Sequence, residues 1–159
     1  MPLSPMGIFH TVLGIAALLV LVYIFWQDKQ IRLDRAAGKF YLIATVLTAA
    51  SALAIYKNNE PNIAHGLAVL TILAVIVGCA ATKMQILGGF QKYIVAMCFS
   101  TTALFHALPT ATEILTRFPS DAPLVTNVED PLLMKTFLVI LVCFGIGLAL
   151  QMNWLRKQP

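Results

Sequence analysis

Charge is what this chain has least of. Asp, Glu, Lys and Arg make up 11% of its 159 residues, against about 25% in ordinary soluble domains. A charged, water-facing shell therefore cannot be built around a soluble core. No stretch alternates polar and apolar residues over roughly ten positions, the pattern of a membrane-spanning strand. C-x-x-C, H-E-x-x-H, a Gly-rich phosphate loop and a nucleophile–base pair are all missing, which leaves enzymatic catalysis with little support. No basic cluster interleaved with aromatics occurs, so nucleic acid is not an expected partner. Internal repeats, frequent in secondary transporters, are missing too, which counts against a proton-linked carrier. The N-terminal run has no basic leader and no small-residue cleavage site, and reads as a retained first span. Cysteine is scarce and odd in number: Cys79, Cys98 and Cys143 all lie in apolar runs and read as small buried hydrophobes.

What the chain does have is apolar length. Hydrophobic residues reach 59% and the mean hydropathy is +0.83. Runs of about 20 residues, enough to cross a bilayer as helix, recur at about 7–26, 40–57, 63–82, 93–115 and 134–154. The expected fold is all-α: a polytopic helical membrane protein, one bundle of five transmembrane helices with nothing left for a soluble domain.

Orientation follows from the basic residues, which collect in cytoplasmic loops. Lys29, Arg32, Arg35 and Lys39 fill the first connection, Lys83 and Lys92 the third, and Arg156 and Lys157 the C-terminal tail. Lys57, Arg117 and Lys135 fall on the other side. Eight against three places the C-terminus in the cytoplasm and the N-terminus outside, in the inner membrane of a bacterium. The basic first loop is a topology anchor that attracts anionic lipid headgroups. The second connection, with Pro61, makes spans two and three antiparallel neighbours. The fourth, with Pro119, Pro123 and Pro131, is expected to be irregular, with room for a short surface helix.

Against this background a few residues are out of place. At about 1.5 Å rise per residue, His10 lies roughly 10 Å outside the midplane, His65 roughly 12 Å, Glu113 roughly 13 Å and His106 about 3 Å. All four share the outer half, and three share nearly one level. Ionisable residues at such depth face a bundle interior or a wet cavity and are functional candidates by default. Thr102, His106, Thr110 and Glu113 follow i, i+4, i+8, i+11 and mark one face of span four. Tyr41, Thr45 and Thr48, with Ser51 or Ala52 next, form a lesser stripe on span two. The two stripes are expected to face each other or a shared cavity. Pro109 frees the carbonyl near Phe105 and kinks the helix, either to line a cavity or merely for packing.

These residues admit several occupants. His10, His65 and Glu113 supply two nitrogens and a carboxylate, a donor set suited to a divalent transition metal. Haem b is the other candidate: His10 with His65 as axial ligands, His106 entering if span four slides outward, and Gly14, Gly66 and Ala68 as small neighbours. His106 and Glu113 alternatively form a proton relay, or Glu113 simply pairs with Arg117 at i+4. Two functional classes follow. One is a redox or metal-handling membrane protein; the other is a cofactor-free accessory subunit of a larger membrane complex, its polar residues bonded between helices.

The stretch "IRLDRAAGKFYLIATVLTAASAL" resembles a group of uncharacterised bacterial membrane proteins, a family defined as a domain of unknown function. Its members carry a histidine early in the first span, an R-x-H-R-x-x-G-R-x-Y loop and a histidine at the start of the third span. Arg32, Arg35, Gly38, Lys39 and Tyr41 match that spacing, with His10 and His65 in the matching spans. Asp34 stands where the family has histidine, and Lys39 replaces arginine. The likeness covers about the first two-thirds of the chain and implies a small multi-span bundle.

Overall fold

Three of the helices start where a side chain can take over an unpaired N–H group of the first turn. The computed structural model describes residues 4–56 and 62–158; Lys57, Glu60 and Pro61 of the second connection lie outside them. Ser4 opens α1 (Pro5–Gln27), its Oγ accepting from Gly7 N at 3.1 Å. Asn62 opens α3 (Ile63–Ala81) through a reciprocal capping box with His65. Asp130 opens α5 (Pro131–Arg156), accepting from Leu132 N at 2.8 Å. Between α1 and α3 lies α2 (Ala36–Leu53), which has no side-chain cap. A 3-10 turn at Gln85–Phe90 leads into α4 (Gln91–Arg117), which runs through Pro109 unbroken. All five helices are long and apolar enough to cross a membrane.

α2 sits between α1 and α3, α3 packs on α4, and α4 returns to touch α1. Four helices thus enclose an interior, and α5 lies against α4 on the outside. The core joins Ala17, Leu21 and Ile24 of α1 to Tyr41 and Leu42 of α2, Val75 of α3 and Phe99 of α4. Gly78 brings α3 close to α4: a Cβ there would lie 2.4 Å from the Phe99 ring. The outward faces carry exposed Ile8, Val12, Leu19 and Val22 on α1, and Leu138, Leu141, Val142 and Ile146 on α5. Such surfaces suit hydrocarbon rather than water.

Two devices fix the connection between α1 and α2. Gly38 lets its backbone ride against α2, since a Cβ at that position would meet Arg32 O at 2.0 Å. Ile31 is buried beneath. Within the loop Arg32 forks onto Asp34, Nε to Oδ1 at 2.9 Å and Nη2 to Oδ2 at 2.6 Å. This hydrogen-bonded pair holds the Asp34 carboxyl below its ordinary range and raises the guanidinium. The second device comes from the far end of the chain: Gln151 of α5 accepts from Ser100 Oγ at 2.8 Å and donates to Lys29 O at 2.8 Å.

Two sequence expectations change, the bounds of α2 and the burial of Cys143. α2 begins at Ala36 and ends at Leu53, four residues before the apolar run at each end, because Ala36 and Ala37 are strong helix formers whatever their hydropathy. The fourth connection is irregular throughout residues 118–130, as expected, and the surface helix it had room for does not form; Val125 folds back, its N–H donating to Leu115 O at 3.0 Å. Cys143, expected to be buried, is exposed on α5, while Cys79 and Cys98 are half-buried.

Candidate functional site

The polar stripes of α2 and α4 meet in the interior. Thr102 gives its hydroxyl proton to Phe99 O at 2.6 Å. It therefore accepts from Tyr41 Oη, 2.7 Å away. One turn on, Thr45 Oγ1 and His106 Nε2 are 3.1 Å apart. Thr45 and Thr102 are fully buried, and His106 nearly so. Two hydroxyls nearby turn back on their own helix: Thr11 to Gly7 O and Thr110 to His106 O, both within 2.8 Å. That is the usual resort of a hydroxyl in apolar surroundings.

Beyond His106 the four helices part around a cavity of about 640 Å³. His10 and Gly14 supply the α1 wall, Thr48 and Ala49 the α2 wall, Ala68 and Thr71 the α3 wall, and Phe105, His106 and Pro109 the α4 wall. Glu113 and Arg117 stand at its rim, ion-paired with each other and about half exposed. Pro109 has no N–H to give the Phe105 carbonyl, so the helix wall is locally less self-satisfied where it borders the cavity. On the α1 wall Gly14 faces α2, where a Cβ would lie in ordinary contact, 3.7 Å from Thr48 Cγ2.

The tautomers of the three histidines separate their roles. His10 Nδ1 lies 3.0 Å from both Thr48 O and Ser51 Oγ. A backbone carbonyl only accepts, so Nδ1 carries the proton and Nε2 keeps a free lone pair. This arrangement, Nδ1–H on a backbone carbonyl, is the one that orients an imidazole as a ligand. His65 is the reverse. Its Nδ1 accepts from Asn62 N at 3.2 Å, which places its proton on Nε2 and uses its lone pair in the α3 cap. The ring is buried against Tyr56, with centroids 4.8 Å apart, and His65 does not line the cavity. His106 faces Thr45, whose hydroxyl suits either tautomer.

The four residues selected from depth therefore do not form one cluster. His10 and His106 share the cavity walls, Glu113 reaches its rim, and His65 serves as a helix cap. Among the described residues no group of three or more His, Cys, Asp or Glu side chains is gathered for a metal ion. Thr48, which the sequence placed on the α2 stripe, lies on the cavity wall with its buried Oγ1 unpartnered among the described residues. Sequence reasoning missed Gln151. A lone amide in the apolar run of α5 was its available signal.

Comparisons with protein-family models, with curated proteins and with solved structures gave no match.

Proposed function

We propose that the chain is a small integral membrane protein that binds haem in the cavity between α1 and α4, in an electron-transfer role. The observation that carries this reading is the pair of imidazoles, His10 and His106, on the walls of one cavity whose remaining lining is mostly apolar. A bare divalent ion needs three or four protein ligands. Haem brings four nitrogens of its own and asks the protein for only one or two axial ligands. The donor set present suits the second case.

In this reading His10 would hold the haem iron through Nε2. Its ring is held by the Thr48 carbonyl and Ser51, and the Nδ1–H bond raises its basicity. His106 is the second imidazole, replacing the His65 favoured by depth alone. Gly14, Ala49 and Ala68 are small wall residues that would leave room for the group. Arg117 at the rim would meet its carboxylates by exchanging its Glu113 partner for them. Bound haem supplies one-electron transfer; the chain's own part is to hold, orient and shield it from water. The basic residues argue for an N-terminus outside and a C-terminus in the cytoplasm of a bacterial inner membrane.

A reduced-minus-oxidised absorption spectrum of the purified protein, with metal analysis, tests this. The expected result is a Soret band lost in His10→Ala, weakened in His106→Ala and kept in His65→Ala. Absence of both band and metal in the wild-type protein overturns the proposal.

One observation favours the accessory-subunit reading instead. α5 buries only Leu133, Gln151 and Leu155, leaving most of an apolar helix free to pack on a larger membrane complex. A stable co-purifying membrane subunit, together with a colourless preparation, would select it.

A further inference from the structure

A second cavity lies at the opposite end of the bundle, where α1 and α5 flank α4. It measures about 490 Å³ and is walled by Phe25, Ala103, Phe144 and Leu148. Gly147 lies on the same wall, and a Cβ there would meet nothing within 4 Å. The polar groups bordering this groove, Ser100 and Gln151, are already bonded to each other, so the groove itself offers hydrocarbon-like surface.

Its end is different. Lys29 closes the groove beside Trp154, with Nζ 5.8 Å from the indole ring. The Lys29 backbone is fixed in a left-handed conformation, φ 57°, with its carbonyl held by Gln151 at 2.8 Å. Among the described residues no carboxylate pairs with the Lys29 ammonium, and the Asp34 carboxylate of the same loop is taken by Arg32. Arg35, Lys39, Lys92, Arg156 and Lys157 lie in the connections and helix ends on this side, with Asp28 the other acid. An apolar channel ending in an unpaired ammonium and an indole matches an amphiphile with a negative head: Lys and Trp at a membrane interface take such positions.

We infer that the groove between α1, α4 and α5 is a binding site for an anionic phospholipid. One acyl chain lies along Phe25, Phe144 and Gly147, and the phosphate meets Lys29 beside Trp154. The site is separate from the histidine-lined cavity and holds whether or not that cavity binds haem.

The test uses the full-length protein in mixed micelles of phosphatidylglycerol or phosphatidylcholine, with retained lipid counted by native mass spectrometry. The wild-type protein is expected to retain one phosphatidylglycerol in preference to phosphatidylcholine. Lys29→Gln lowers phosphatidylglycerol retention about fivefold and leaves phosphatidylcholine unchanged, as expected for loss of one basic contact. Gly147→Leu fills the groove and lowers retention of both lipids. Its side chain enters open space, and an unchanged melting temperature shows that the fold persists. Equal retention of the two lipids by the wild-type protein overturns the inference. So does wild-type behaviour in either variant.

Discussion

The connection between α1 and α2 permits a sharp test, because one missing methyl group sets its position. An ideal Cβ on residue 38 would lie 2.0 Å from Arg32 O, whereas ordinary contact begins near 3.4 Å. In Gly38→Ala the Arg32 backbone must therefore retreat by about 1.4 Å, the difference of those distances. The atom displaced is backbone, so no rotamer change relieves the clash. Retreat drags Ile31 from its buried seat and strains the Lys29 carbonyl bond to Gln151. Overpacking of this kind costs about 1–3 kcal/mol. At roughly 2–4 °C per kcal/mol for a chain of this size, the melting temperature falls by roughly 2–12 °C. Gly66→Ala is the matched control: its Cβ enters open space within α3, where Ala exceeds Gly by up to about 1 kcal/mol in helix propensity. Thermal unfolding in detergent, followed by circular dichroism, should move the two variants in opposite directions. Equal shifts, or an unchanged Gly38→Ala, would refute the close-approach argument.

Three further outcomes are expected. Thr45→Val leaves buried His106 without its partner and destabilises by about 1–3 kcal/mol, measurable as a lower unfolding midpoint, while Thr101→Val, whose hydroxyl bonds only its own helix at Met97 O, stays near wild type. Gln151→Leu removes two hydrogen bonds and strands Ser100 Oγ and Lys29 O, costing about 2–4 kcal/mol; in a double-mutant cycle Ser100→Ala should be strongly non-additive with it. The Arg32 hydrogen bond depresses the Asp34 carboxyl, so its stabilising effect is present above the unfolded value near about 3.9 and is lost as pH falls through the lower folded value. Asp34→Asn should flatten the melting temperature in that acid window; an unchanged acid slope would show that the pair contributes nothing.

Much of this arrangement was legible in the residues. Apolar length located all five helices, and the i, i+4 stripes on spans two and four were right about their facing: Tyr41 meets Thr102 and Thr45 meets His106. Helix ends were less legible, because hydropathy marks where a bilayer would lie and not where backbone bonds begin. Depth placed His10 and His65 at one level, but depth is a single coordinate. Direction around the helix axis decides which residues share a cavity. α3 is apolar on nearly every face, and gives no stripe from which that direction could be read. The cap that occupies His65 was readable in principle, since Asn62 precedes it by three residues, the spacing of a capping box. Gln151 offered only its polarity, because its partners are 51 and 122 residues away.

The contact made by Gln151 also has a meaning in the order of synthesis. α5 leaves the ribosome after α1–α4, yet it supplies the group that satisfies the carbonyl of Lys29, in the connection between α1 and α2. Until it docks, α1–α4 can pack but must leave that carbonyl and the Ser100 hydroxyl without their final partner. α5 is therefore the latch of the bundle: without Gln151 the connection between α1 and α2 lacks its fastening.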